Sequence, residues 1–335
     1  MIDKVKIIAE AGCNHNGNIK LAYKLIDKAA TAKVDAIKFQ LYNVNELVTK
    51  KAPKAEYAKR NTKKNQTQYE MQKKLELSQA EHFKLKKYCE KKGIEYLSSA
   101  FDIPSLIFLN KIKIKQFKIP SGEITNYPYL KLIGAFKKKT ILSTGMSTMN
   151  EIKNALNILT KSGLSKNKIT LLQCNTEYPT PFSDVNLKAM ILMKKKFKLN
   201  VGLSDHTLGI EVPVAAVALG AKVIEKHFTL NREFYGPDHK ASLLPHELVK
   251  MVSSIRNIEK AIGSGKKTIT RSELKNRKIA RKSIVAIKTI KKNEIFKLNN
   301  IGVKRPGTGI SAEKFYKILG RKSKKNYKLD DLIKI

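Results

Sequence analysis

Short apolar runs alternate with longer amphipathic stretches through the first 263 residues. The runs at 5–8, 36–40, 94–99, 116–119, 140–143, 169–174, 199–203 and 223–228 read as strands. Between them, apolar positions recur with helical spacing at 21–32, 79–92, 105–110, 129–136, 148–161, 187–195, 212–220 and 244–262. Thr148 or Asn150 supplies a start signal for the helix after the fifth strand. Connections of helix length join parallel neighbours. Eight such units in about 265 residues predict a (β/α)8 barrel, with a doubly wound open sheet as the runner-up. The strand ends favour the barrel. Each stops at a polar residue: Glu10, Lys38, Ser99, Lys118, Ser143, Asn175, His206 and His227. In a barrel all eight ends ring one mouth, whereas an open sheet scatters them along an edge.

Two stretches break the alternation. Residues 43–78 are long and polar, which for a compact domain means a functional or disordered loop. After Gly263 the chain turns polar and basic, and from Ser283 short apolar runs resume around the turn-rich KRPGTG, with a short helix expected near 313–319. The organisation expected is a catalytic barrel over 1–265, a linker over 266–283 and a small second domain over 284–335. A unit of that size is marginal alone, so it is expected to dock on the barrel or on a second chain.

Composition narrows the class. Hydrophobic residues make up 42% of the chain, enough for a large core, and no window reaches the ~18 uninterrupted apolar residues of a membrane span. Neither that pattern nor the N-terminal MIDKVKIIAEAG suggests membrane insertion or secretion, and a soluble cytoplasmic protein is expected. Cys13, Cys89 and Cys174 lack paired spacing, so no disulfide framework is expected. The formal charge is +39, which raises the question of nucleic acid. Only 8 of the 67 basic residues are arginine, however, and the excess is spread along the chain. Base readers lean on arginine's bidentate fork, so steering of small anions fits better than a dedicated nucleic-acid or polyanion binder. That binder is the second functional class to weigh.

Taken as one site, the mouth offers Lys38 and Lys118 as cations, hydroxyls from Ser99, Ser121, Ser143 and Ser204, and the Asn175 amide. Convergent donors of this kind suit a phosphate or carboxylate. His206 and His227 sit at neighbouring strand ends and can hold a divalent metal with open positions. Glu10, Glu123, Glu177 and Asp238 are acid–base candidates. His15, His82, His239 and His246 read as surface or supporting residues, Cys13 and Cys174 as packing, and Arg305 on its own as a turn residue. These residues alone predict a metal-assisted enzyme acting on a phosphorylated or carboxylated small molecule. Carbon–carbon bond formation, isomerisation and phosphate-ester cleavage all remain open.

Nine motifs, in order over nearly the whole chain, are IAEAGCNHNG, IKFQ, FKIPSGEITNYP, STGM, EYPTPF, GLSDHT, EKHFTL, GPDHKAS and KRPGTGIS. With them the chain resembles the sialic acid synthase family, which condenses phosphoenolpyruvate with an N-acetylated hexosamine. The resemblance implies a (β/α)8 TIM barrel followed by a small antifreeze-protein-like (SAF) domain. It implies His206 and His227 as ligands of Mn2+ or Mg2+. Lys38, Ser99, Lys118, Ser121, Ser143, Asn175 and Ser204 match phosphoenolpyruvate-binding positions. Gln40, Glu123, Tyr178 and Asp238 match acceptor-sugar contacts, and Glu10 matches a carboxylate beside the reacting centre. Arg305 matches an arginine that reaches the partner's barrel in a domain-swapped homodimer. The third strand end reads SSAFD where the family has STPF, which keeps the Ser99 hydroxyl. N-acetylmannosamine is the first acceptor expected, giving N-acetylneuraminate. The alternative is 2,4-diacetamido-2,4,6-trideoxymannose, giving N,N'-diacetyllegionaminate.

Overall fold

The computed structural model describes residues 4–62 and 65–335, which fall into two compact units dividing after Gly263. In the first, β1 (Lys6–Gly12), β2 (Ala36–Leu41), β3 (Glu95–Ala100), β4 (Gln116–Ile119), β5 (Lys139–Ser143), β6 (Ile169–Cys174), β7 (Asn200–Asp205) and β8 (Val223–His227) close into a parallel barrel in chain order. This is the (β/α)8 architecture that the alternation predicts, and the open sheet is excluded.

Side-chain parity along the strands builds the site. Ile8, Ala36, Leu97, Ile141, Leu172 and Val223 form a buried cluster inside the barrel. Successive side chains on a strand point to opposite faces, so residues two further on face inward again, about 6–7 Å higher. Those residues are Glu10, Lys38, Ser99, Ser143, Cys174 and Glu225. The apolar layer is the floor, and the polar layer stands directly on it. The opposite faces pack against the helices in a much larger cluster that includes Ile7, Phe39, Phe117, Leu203 and Ile224.

The helices follow ordinary local rules. The helix Met149–Lys161 starts at a Thr148–Glu151 capping box and buries Ile152, Ala155, Leu156 and Leu159 on one stripe. The polar segment 43–78 is more ordered than its composition suggests. It holds the helices Val44–Leu47, Glu56–Asn61 and Gln68–Leu75, the last with a Thr67–Glu70 capping box. Four residues, Cys13, Ala58, Met71 and Leu75, make its buried anchor. Most of its surface stays wet, which is why an average over the segment reads as loop.

The second unit has β9 (Ser283–Ala286) antiparallel to β10 (Ile301–Lys304) and its own core of Ile284, Ala286, Ile290, Phe296, Ile301, Ile318, Tyr327 and Ile333. Within the expected linker, Glu273–Ala280 is helical with no buried residue. Near 313–319 a 3-10 turn, Ala312–Lys314, leads into the helix Phe315–Ile318.

Candidate active site

The inward layer opens into a cavity of about 370 Å³ at the C-terminal end of the strands. Its lining includes Glu10, Lys38, Gln40, Ser99, Lys118, Ser121, Ser143, Tyr178, Ser204, His206, His227 and Asp238. All of these were singled out from the sequence, and the fold gathers them into one site.

Charge is concentrated on its floor. Lys38 Nζ lies 2.9 Å from Glu10 Oε2 and donates to Ser99 Oγ at 3.2 Å. Lys118 Nζ lies 3.1 Å from Glu225 Oε1, which also accepts from Ser204 Oγ at 2.9 Å. Glu225 Oε2 is 3.8 Å from Lys38, so two ammoniums and two carboxylates form one buried network. The carboxylates differ. Burial drives Glu10 up to about 7, against the pull of Lys38. Glu225 is also raised by burial, but Lys118 and Lys38 together outweigh this and hold its carboxyl low. Lys118 is pulled down by burial, whereas the carboxylates more than offset burial at Lys38. Gln40 Nε2 donates to Glu10 Oε1 at 3.3 Å. The backbone turns at Gly12 with φ +51°, where a Cβ would come within 3.2 Å of the His227 ring and 3.4 Å of both Gln40 and Glu10. Only glycine leaves that corner open.

The two histidines stand side by side, ring centroids 5.3 Å apart. His206 Nδ1 contacts the Asn175 carbonyl, which can only accept. Nδ1 therefore carries a proton, and Nε2 is the nitrogen left for a ligand. Tyr178 stacks on His206 at 4.0 Å and meets His227 edge-on at 5.5 Å, and Tyr57 packs at a tilt on Tyr178 at 4.8 Å. Burial, followed by the His206 ring, pushes His227 far below its usual range, so its ring is neutral and able to ligate. Asp238 lies 3.8 Å from His227 Nδ1, accepts from the Cys13 thiol at 3.3 Å and is raised by burial.

Among the described residues, the buried polar atoms without a hydrogen-bond partner include Ser143 Oγ and His227 Nδ1 at the cavity wall. Buried orphans at a cavity wall are the mark of a place prepared for a ligand. Among the described residues no group of three or more His, Cys, Asp or Glu is gathered for a metal. The His227 ring is neutral, whereas at His206 burial is outweighed by Cys174 and the Asn175 carbonyl, which raise it, so a divalent ion on the pair would displace a proton from His206 and leave its remaining positions to substrate and water.

Three sequence-derived candidates of the barrel unit, Asn175, Glu123 and Glu177, stand outside the lining. Asn175 follows the inward Cys174 and so falls on the other parity. Its Oδ1 accepts from Glu177 N at 2.8 Å, and Cys174 and Thr176 line the cavity instead. Glu123 accepts from Asn126 Nδ2 at 2.6 Å, and burial raises its carboxyl. Arg305 is exposed in the second unit, where its Nε donates to the Ala280 carbonyl at 3.0 Å. Of the other acid–base candidates, Glu177 pairs with Arg60 on the surface. Cys13 and Cys174, read as packing residues, both line the cavity. His15, His82 and His239 are buried, His82 Nδ1 against the Tyr96 hydroxyl at 2.7 Å. Sequence reasoning gave Glu225 no role. The signal was there: it lies two residues before His227 and so shares the inward face. Tyr57, Gln68, Met71 and Gln72, from the segment read as loop, complete the wall.

A model of the NeuB family matches residues 25–267, and a SAF domain model matches residues 281–334. The chain is 53% identical to the N,N'-diacetyllegionaminic acid synthase of Campylobacter jejuni, over 99% of both chains. It is 44% identical to the enzyme of that name from Legionella pneumophila, over 96% of this chain and 90% of that one. A crystal structure of an N-acetylneuraminic acid (sialic acid) synthetase from Leptospira borgpetersenii, in complex with citrate, superposes with a TM-score of 0.71 at 37% identity, covering 82% of this chain and 90% of that one.

Proposed function

Since the chain belongs to the NeuB family of sialic acid synthases and carries a SAF domain, we propose that it condenses phosphoenolpyruvate with the open-chain aldehyde of an N-acetylated sugar, releasing phosphate. One observation carries this reading: two ammoniums and four serine hydroxyls converge on a buried cavity beside a buried carboxylate and paired histidines.

Lys38 and Lys118, with Ser99, Ser121, Ser143 and Ser204, hold the phosphate and carboxylate of phosphoenolpyruvate. An incoming anion takes over donors that Glu10 and Glu225 now engage. Mn2+ or Mg2+ on His206 and His227 supplies Lewis-acid polarisation of the acceptor carbonyl when bound. Phosphoenolpyruvate C3 bonds to the acceptor's aldehyde carbon, and positive charge develops at C2. The Glu10 carboxylate stabilises that charge and accepts a proton from the water that adds at C2. The tetrahedral carbon then collapses with C–O cleavage, and the lysines and serines retain the departing phosphate. Gln40, Tyr178 and Asp238 border the space left for the sugar.

The acceptor we favour is 2,4-diacetamido-2,4,6-trideoxymannose, because two relatives named for N,N'-diacetyllegionaminic acid are 53% and 44% identical over nearly the whole chain. This displaces N-acetylmannosamine, the first expectation from sequence, to the comparison arm of the test. The purified protein is assayed with Mn2+, phosphoenolpyruvate and each sugar in 18O-water. The expected result is phosphate free of label, label at the product's C2 oxygen, and higher kcat/KM for the diacetamido sugar. Labelled phosphate would refute C–O cleavage, higher kcat/KM for N-acetylmannosamine would reverse the acceptor assignment, and no phosphate release with either sugar would refute the reaction.

A further inference from the structure

The two histidines depend on residues pointing the other way. Asp205 precedes His206, and Lys226 precedes His227. In the parallel register of β7 and β8, Asp205 stands opposite Lys226. By parity both face outward, behind the cavity wall. There Lys226 Nζ meets Asp205 Oδ2 at 2.5 Å, donates to the Thr207 carbonyl and lies 3.4 Å from Thr207 Oγ1. Asp205 in turn accepts from Thr207 N at 3.1 Å and from Thr207 Oγ1 at 3.0 Å. All three residues are buried, Lys226 and Thr207 completely. His206 is therefore enclosed by a turn bonded on both flanks, and its own carbonyl accepts from Thr180 N at 2.9 Å.

We propose that the Asp205–Thr207–Lys226 cluster is a positioning device that sets the spacing and orientation of the His206 and His227 rings. The inference rests on the metal reading of that pair. A buried ammonium is costly in a barrel wall, and a hydrophobic residue of similar volume would pack there at no such cost. What the ion pair adds is geometry. It ties the residue before one histidine to the residue before the other, and its four further bonds, all to Thr207, close the turn around His206. An ordinary outward Leu or Val would leave the two strand ends joined by ladder hydrogen bonds, which end at Asp205 and Lys226, and by the inward Ser204–Glu225 bond, with nothing tying their outward faces. Groups that orient metal ligands by hydrogen bonds typically shift affinity by about 10–100-fold when lost, and this cluster would orient the same rings through their backbone.

The test uses the full chain. Wild type and Lys226→Met are stripped with EDTA, titrated with MnCl2 by calorimetry and checked by far-UV circular dichroism. In parallel, 15N-histidine-labelled apo protein reports the His206 tautomer, which the contact to the Asn175 carbonyl fixes as Nδ1–H. Lys226→Met should keep the circular dichroism spectrum, lose the fixed tautomer signal and weaken Mn2+ binding by about 10–100-fold. Because Lys226→Met strands a buried carboxylate, Asp205→Asn/Lys226→Met is the second variant, in which both charges are gone; the same two losses are expected. A folded variant with wild-type tautomer signal overturns the proposal, whether or not Mn2+ affinity changes. Failure of both variants to fold overturns it too, since the cluster would then hold the barrel rather than the histidines. If wild type takes no Mn2+ while the tautomer signal still depends on Lys226, the metal reading falls and the positioning role stands.

Discussion

Glu10 is the residue whose charge the barrel alters with most consequence. It is 1% exposed, and burial lifts its folded-state value to about 7, against about 4.5 in the unfolded chain. Between those values the folded protein holds the proton and the unfolded one has lost it. The unfolded state then binds fewer protons, so this group's contribution to stability falls as pH rises from about 4.5 to 7 and is level beyond. Buried His15, His82 and His239, all lowered by burial, act in the opposite direction as pH rises, so the raw curve is not diagnostic. The difference between wild type and Glu10→Gln cancels them. Glu10→Gln should gain relative stability as pH rises through that window, up to roughly 3 kcal/mol, read from urea unfolding at a series of pH values. A flat difference would show that Glu10 is not perturbed. Lys118 supports a second expectation. Lys118→Ala should raise the KM for phosphoenolpyruvate far more than for the sugar, with about 1.5–3 kcal/mol lost from a charged hydrogen bond. Equal rises would contradict its assignment to the anion. Parity explains which residues were legible. Polar strand ends could be read directly, but Asn175 lies one position off the inward face that Cys174 occupies. Glu225, two positions before His227, reads as mid-strand until the barrel's interior is known.

At the scale of elements, strands were legible because each is a short, mostly apolar run that stops at a polar end. The segment 43–78 was not, because Gln68–Leu75 buries only Met71 and Leu75 and carries little periodic signal. Its tertiary contacts, Tyr57 on Tyr178 and the cluster with Cys13, come from residues distant in sequence. Such contacts override local composition and leave no trace in it. The ends of β7 and β8 carry the next prediction. His206 and His227 project into the cavity rather than into the core, so His206→Ala and His227→Ala should keep the circular dichroism spectrum and lose activity. Chelation should reproduce that loss in wild type, and Mn2+ should restore wild type but neither variant. Full turnover by extensively chelated enzyme would remove the metal from the mechanism.

For the whole molecule, the alternation of strands and helices carried the barrel, and the break after Gly263 marked the second unit. The number of chains in the working enzyme cannot be read from one chain's periodicity, because it depends on surfaces that fold and bury nothing within that chain. We propose a homodimer in which Arg305 serves the partner's cavity, resting on the resemblance of KRPGTG to the family's arginine motif. An acetamido carbonyl at a barrel mouth needs a donor, and a guanidinium supplies several. Arg305→Ala should then cost about 1.5–3 kcal/mol in kcat/KM for the sugar and leave phosphoenolpyruvate KM nearly unchanged. Crossing between chains has its own signature. An Arg305→Ala chain has an intact cavity but supplies no arginine, whereas a His206→Ala chain has a dead cavity but supplies one. In a mixed dimer, one cavity receives both working parts, so a weakened and an inactive preparation should gain activity on mixing, up to half of wild type per mixed dimer. Subunit exchange is followed with differently tagged chains. Exchange without recovery would mean that Arg305 acts within its own chain or not at all.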